Sequence, residues 1–406
     1  MTDARPRHFV FYLSSEWRRF HRPGMIAAMA RRAAGEGGKV LIVDQPVCRV
    51  TTRIKHRERW RRWQAQPGAL DELGGNLYRY DASVFLHDKL AACIPGVAYA
   101  NRGLLQGQVA RALGRLGMSP EATVSWFYFP TFHQYVGMLG EALAIYECYD
   151  EHSEIPGLWR TTQRRYRVLE RALCGKVDGV FVTSNPLLEA KRTLHPRVFL
   201  SHNAADAAFY SRVPVLPDAT ARRESGRPVV GYVGTIHEHT DLALLRRAAE
   251  QRPDWSFVIC GSVQRGADRH ELERLMALPN TSITGWVDDD ALLSVMSDFD
   301  VGIIPYRSDA AFNRYVNPNK LHEYVAMGKP VVTTRFGDLS THAEFTLVAD
   351  DAAQFVAAIE HAYRTDTPDK AAARRCAAAL NSWDARAAGI FTRLDALWSE
   401  KHARRH

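Results

Sequence analysis

The sequence predicts two parallel α/β domains in tandem. Three observations point there. Short apolar, β-branched runs alternate with helical patterns along the chain, the rhythm of βαβ units. At 406 residues the chain has room for two full cores. The rhythm breaks once, over 204–228, where Pro214, Pro217, Gly226 and Pro228 sit in a polar mix that reads as a linker. We therefore expect two Rossmann-like domains facing a cleft, over 1–205 and 228–381. A linker over 206–227 would join them, and a helix over 382–406 would pack back on the first.

In the first half, HFVFYLS (8–14) reads as a strand, a helix starts near Pro23, and KVLIVDQ (39–45) is the next strand. Further strands are expected at 123–129, 143–149, 179–184 and 197–201, with a long helix over 158–174. In the second half PVVGYVG (228–234), WSFVICG (255–261), TSITG (281–285) and DVGIIPY (300–306) are strands. Helices are expected over 241–251, 289–297 and 351–363. Asp288, Asp289 and Asp290 suit the start of the second of these, where a helix favours acids. The stretch NPNKLHEYVAMGKPVVTT (317–334) holds a helix, a Gly stop and a β-branched strand. In the tail, Trp383, Ala387, Ile390, Phe391, Leu394, Leu397 and Trp398 recur at helical spacing.

Composition narrows the function classes. With 46% hydrophobic and 24% charged residues the chain is globular, and no apolar run approaches the ~18 residues of a membrane span. The opening MTDARPRHFVFYL lacks a signal-peptide layout, so a cytoplasmic location is expected. Six cysteines without a CxxC pair read as reduced, buried thiols, not a zinc site. A net charge of +8 favours anionic partners. The basic segment from Arg49 to Trp63 (RVTTRIKHRERWRRW) interleaves arginines with Ile54, Trp60 and Trp63. It suits peripheral docking on the inner face of an anionic membrane, or else forms a solvated helix. No recognition motif supports a nucleic-acid partner.

In open parallel sheets, ligands bind beyond the carboxyl ends of the strands. In the second half those ends carry Gly234 and Thr235, Gly261, Gly285 and Trp286, and Tyr306. The glycines let backbone approach a phosphate, and the two aromatics offer faces to a nucleobase. The helix within 317–334 opens with Asn319 and Lys320. Its free N–H groups and the lysine charge make a diphosphate seat, and Glu323, one turn on, could hold ribose hydroxyls.

Three segments, VVGYVGTIHEHTDLALL (229–245), TSITGWVDDDALLSVMSDFDVGIIPY (281–306) and 317–334, resemble the donor-binding domain of GT-B glycosyltransferases of the group 1 kind. Residues 14–46 and YECYDEHSEIPG (146–157) resemble the amino-terminal half of bacterial polysaccharide glycosyltransferases. In VFLSHNAADAAFY (198–210), Ala204 stands where that family usually has Gly. The resemblance implies that Asn319 and Lys320 hold the donor diphosphate and Glu323 the ribose. It also implies that Gly234 and Thr235 face the phosphates or sugar, and that Trp286 borders the base.

Two departures matter. Many retaining relatives carry a glutamate eight positions before Glu323, and here that position is Tyr315. The basic residue they place after the first strand of this half is missing, with His237 and His239 nearby. Lys320 is then the chief cation for the leaving group, and the base is sought in the first half. Asp150, at the end of a strand, is the expected general base, with Glu151 and His152 as substitutes. A plain capping role for Asp150 is the alternative. Trp17, His21, Arg22 and His133 suit acceptor binding, unless Arg22 is tied to a nearby carboxylate. No DxD motif has strand context, so no metal and no cofactor are expected beyond the sugar nucleotide itself.

The function expected is a metal-independent hexosyltransferase. It would act from a UDP- or GDP-sugar on a glycan or lipid-linked saccharide in bacterial surface polysaccharide biosynthesis. A sugar-nucleotide epimerase of the same fold and a non-catalytic nucleotide-sugar-binding module are the alternatives, the latter kept open by Tyr315.

Overall fold

The computed structural model describes residues 5–20, 22–91, 94–210, 212 and 227–403. Most of the segment expected as a linker lies outside them, as do His21 and Cys93. Two compact units emerge. One gathers residues 1–153, 158–201 and 384–406, the other 154–157 and 202–383.

The first unit holds β1 (His8–Tyr12), β2 (Val40–Val43), β3 (Val47–Cys48), β4 (Leu70–Gly74), β5 (Leu77–Tyr80), β6 (Ser83–Val84), β7 (Thr123–Phe127), β8 (Leu143–Cys148), β9 (Gly179–Val182) and β10 (Val198–Leu200). Eight of them form a sheet of order β10-β9-β8-β7-β1-β2-β5-β4, and β3 pairs separately with β6. Only the β4–β5 pair in the large sheet is antiparallel. It is closed by a turn in which Gly74, Gly75 and Asn76 all have positive φ. From β1 the chain first moves outward one way and later the other, so strand order reverses between β1 and β7. Such a reversal opens a crevice at the carboxyl ends of the strands. The helix Trp383–Ala403 joins this unit from residue 384 on. Phe391 packs on Phe9, and Lys401 Nζ pairs with Asp178 at 2.8 Å.

The second unit holds β11 (Val229–Val233), β12 (Ser256–Cys260), β13 (Thr281–Gly285), β14 (Val301–Ile304), β15 (Val331–Thr334) and β16 (Thr346–Ala349). They form one parallel sheet of order β13-β12-β11-β14-β15-β16, so the order reverses between β11 and β14. Those two strands pair only at Val230 and Gly231. Beyond that point the Tyr324 hydroxyl stands between them, accepting the Val233 N–H at 2.8 Å. Gly302 leaves it room, since a Cβ there would lie 2.6 Å from the Tyr324 ring. The parting of the two strands is therefore built by a side chain of the helix Asn319–Ala326.

Cys48, Cys148, Cys174 and Cys260 are buried and free, but Cys376 is exposed on the helix Pro368–Leu380, which corrects the expectation of uniformly buried thiols. Among the described residues no helix is long and apolar enough to cross a membrane.

Candidate active site

In the second unit the site is assembled around the helix Asn319–Ala326. Pro318 stands at its N-cap and offers no side-chain cap to the first turn. Its entry is fixed by the buried Asn317, whose Oδ1 accepts the Asn203 N–H at 3.0 Å and whose Nδ2 donates to the Asp338 carbonyl at 2.9 Å. Lys320 is only 8% exposed. Its Nζ lies 4.0 Å from the centre of the Tyr232 ring and 4.7 Å from that of Tyr306. Burial works against the ammonium, but Tyr232 and Tyr306 outweigh it and hold the group above its ordinary value. No carboxylate among the described residues forms an ion pair with it.

The glycine turns are required by this lysine and by each other. A Cβ on Gly234 (φ +126°) would lie 2.7 Å from Lys320 Nζ, and one on Gly261 (φ +153°) would lie 2.1 Å from the Gly234 carbonyl oxygen. Thr235 follows on the same turn, partly exposed, with its carbonyl accepting the Tyr232 hydroxyl at 3.0 Å. His237 and His239 stack at 4.7 Å between ring centres. Burial and then Lys320 lower His237, while burial, His237 and Lys320 push His239 down to about 3. Both rings are neutral near pH 7, so Lys320 is the charged group of this cluster.

Glu323 is half-buried. Burial raises its carboxyl, and Lys320 and a hydrogen bond from Tyr210 pull it back. Tyr210 ends the short helix Ala207–Tyr210, inside the segment the sequence assigned to the linker, and it escaped the sequence reading for that reason. Tyr306 is buried against Phe336. Trp286 follows Gly285 (φ +73°) and is 77% exposed, so it is not a core aromatic. Asp288 caps its helix by accepting the Ala291 N–H at 2.9 Å. The structure thus brings Gly234, Gly261, Tyr306, Asn319, Lys320 and Glu323 to the reversal of strand order, with Trp286 projecting into solvent.

In the first unit most candidate charges are already matched. Arg22 is buried in an ion pair with Glu147, whose other oxygen accepts the Trp126 Nε1–H at 2.7 Å. Arg22 is therefore tied to a carboxylate and is not a free acceptor contact. Glu151 is held by Lys191 at 2.6 Å, and Lys191 also pairs with Glu170 at 2.7 Å. His152 is buried against Phe129 and Tyr149. Trp17 fixes its loop through its N–H to Asp44 Oδ1 at 2.8 Å, and burial lowers His133. Asp150 differs from all of these. It is partly exposed, and no hydrogen bond or ion pair holds its carboxylate among the described residues. It keeps some surface yet is densely surrounded. Burial pushes it up to about 7, with Arg22 opposing and Glu151 adding to the rise. Among the described residues no group of three His, Cys, Asp or Glu could hold a metal ion.

Residues 227–365 match the family model of the glycosyl transferases group 1. The chain therefore carries a group 1 glycosyl transferase domain, and its fold is GT-B. Among curated proteins, it is similar to TuaH of Bacillus subtilis (strain 168), named as a teichuronic acid biosynthesis glycosyltransferase. The two are 28% identical over 231 residues, 53% of this chain and 56% of TuaH, so the match spans little more than half of that relative. Among solved structures, sucrose-phosphate synthase from Thermosynechococcus elongatus superposes with a TM-score of 0.69 at 16% identity, covering 97% of this chain and 99% of that one. Anabaena Alr3699/HepE, solved in complex with UDP and glucose, gives 0.61 at 14% identity, covering 95% and 98%.

Proposed function

We propose that the protein is a glycosyltransferase that moves a sugar from a UDP- or GDP-sugar to a glycan or lipid-linked saccharide of a bacterial surface polysaccharide. One observation carries this reading. A buried ammonium, Lys320, stands without a carboxylate ion-pair partner among the described residues at the carboxyl edge of a parallel sheet, beside a glycine turn and a helix start. Such a charge is stable there when an anion completes it. The names of TuaH and of the HepE complex with UDP support the polysaccharide and the donor.

In the reaction the acceptor oxygen attacks the anomeric carbon, the bond from that carbon to the diphosphate breaks, and the acceptor proton leaves. Asp150, poised near pH 7, takes the proton. Lys320 and the N–H groups of the helix Asn319–Ala326 meet the charge that grows on the diphosphate. Glu323, oriented by Tyr210, holds the ribose, and Trp286 covers the base. The basic segment from Arg49 to Trp63 would bring the enzyme to an anionic membrane surface. It folds as the short helices Thr51–Lys55 and Arg57–Ala65, with Ile54 70% exposed and Trp60 stacked on Trp63. No metal takes part, so activity is expected to persist in EDTA.

A thermal-shift panel of nucleotide diphosphates and their sugars tests the reading. UDP or GDP should raise the unfolding temperature, because a ligand that binds only the native state stabilises it. No shift with any of them would sink the proposal. A sugar nucleotide incubated without acceptor should stay unchanged, and appearance of an isomer would favour the epimerase instead.

A further inference from the structure

The helix Pro95–Leu116 presents Gln108, Arg111 and Arg115 on successive turns of one face. With Arg49, Trp63 and Tyr80 they line a pocket of 320 Å³ in the first unit. Gln108 builds the floor. Its Oε1 accepts the Ser83 N–H at 3.0 Å, and its Nε2 donates to the Ser83 carbonyl at 2.8 Å. Arg49 reaches Ser83 Oγ through Nε and Nη2, both at 3.3 Å, and its guanidinium lies 5.8 Å from the centre of the Trp63 ring. The Tyr80 phenol is fitted closely, since a Cβ on Gly68 would lie 2.9 Å from its oxygen. Arg111 and Arg115 line the same pocket, and burial raises that phenol while the two guanidiniums pull it back.

The lining holds three arginines and no carboxylate, and none of the three makes an ion pair among the described residues. A second pocket on the same segment is different. It gathers Arg18, Arg59, Arg62 and Arg79, but Glu16, Asp44 and Asp81 balance them. Like charges packed together without a counter-charge repel one another, and an anion relieves that repulsion. Tyr80 ends β5, which runs parallel to β2, and β2 runs parallel to β1. The uncompensated pocket thus reaches the carboxyl end of β5 at Tyr80, while Arg115 precedes Leu116, whose carbonyl accepts Lys39 Nζ beside the start of β2.

We propose that Arg49, Arg111 and Arg115 form a second phosphate-binding site, distinct from Lys320, that takes the phosphate groups of a lipid. The arginine forks suit phosphate oxygens, and Trp63 offers an apolar wall to the attached chain. Two sources share this chemistry: the diphosphate that joins a saccharide to its lipid carrier, and the headgroup of an anionic phospholipid. Assignment to the carrier rests on the glycosyltransferase reading, whereas the site itself does not.

The test uses the full chain with Lys320→Ala, which silences the donor seat, titrated calorimetrically with inorganic pyrophosphate. Binding is expected, and adding Arg111→Ala and Arg115→Ala should weaken it by about a hundredfold, roughly tenfold for each charged hydrogen-bonding group. Both arginines are exposed, and nucleotide binding by Arg111→Ala/Arg115→Ala without the Lys320 change should stay at the wild-type level. Co-sedimentation then compares vesicles of phosphatidylcholine alone, with phosphatidylglycerol, and with a polyprenyl diphosphate. Stronger, arginine-dependent binding to the last assigns the site to the carrier. Equal arginine-dependent binding to both anionic vesicles assigns it to headgroups. Absence of pyrophosphate binding by Lys320→Ala, or undiminished binding of pyrophosphate and vesicles by the double arginine variant, overturns the proposal. If pyrophosphate binds as expected while no nucleotide binds the wild type, the donor reading fails and the pocket stands.

Discussion

The two units share a plan and differ in the charge they leave over. Each is built on a sheet that is parallel apart from the edge pair β4–β5 of the first, each has a central reversal of strand order, and each gathers ionisable groups toward the carboxyl ends of its strands. In the first unit Arg22 is matched by Glu147, and Lys191 by Glu151 and Glu170, leaving the carboxylate of Asp150 without a hydrogen bond or ion pair among the described residues. In the second, His237 and His239 are held neutral and the ammonium of Lys320 makes no ion pair with a carboxylate among the described residues. Buried pairs hold loops in place, whereas an uncompensated group is available to a substrate. On the proposed function, Asp150 would serve as the base and Lys320 as the cation that transfer from a diphosphate demands.

The comparison breaks most sharply at Asp150. Asp150→Asn should lower turnover by about a thousandfold, within the range for removing a general base, and leave nucleotide affinity unchanged. Because the carboxylate is the active form and its value sits near 7, wild-type kcat/KM should fall about tenfold per pH unit below that point. The residual activity of the Asn variant should lose this limb. An Asn variant with wild-type turnover would remove Asp150 from the reaction.

The paired charges should behave in the opposite way. Arg22→Met strands Glu147 in the core and should cost about 3–5 kcal/mol of stability in urea unfolding. If unfolding is unchanged but activity falls, Arg22 contacts substrate after all. Gly234→Ala should weaken nucleotide binding by about tenfold, because the added Cβ displaces Lys320 Nζ. Tyr324→Phe removes the hydroxyl that receives the Val233 N–H and should cost about 1–3 kcal/mol, read as a lowered unfolding temperature.

Much of this was legible in the sequence where signals are local. Alternating apolar runs place β1, β2, β7, β8 and the strands from β11 to β15, and Lys320 and Glu323 stand one turn apart on one helix. The edge hairpin Leu70–Tyr80 escapes because its outer strand is mostly exposed and carries no buried stripe. The helix Pro95–Leu116 escapes because Gly96, Gly103, Gly107 and Gly114 depress its helical pattern. Contacts between distant residues leave no periodic trace. Arg22 meets Glu147 across 125 positions, and Tyr210 reaches Glu323 from a stretch whose prolines read as a linker. The same holds for the arginine pocket, which joins Arg49 to a helix about sixty residues on.

The central claim is that each unit leaves one charge for substrate, and nucleotide affinity separates the two most directly. UDP and GDP titrated into Lys320→Ala and Asp150→Asn should show affinity lowered between about ten- and a hundredfold in the first and wild-type affinity in the second. Undiminished affinity in Lys320→Ala, or a matching loss in Asp150→Asn, would contradict that division.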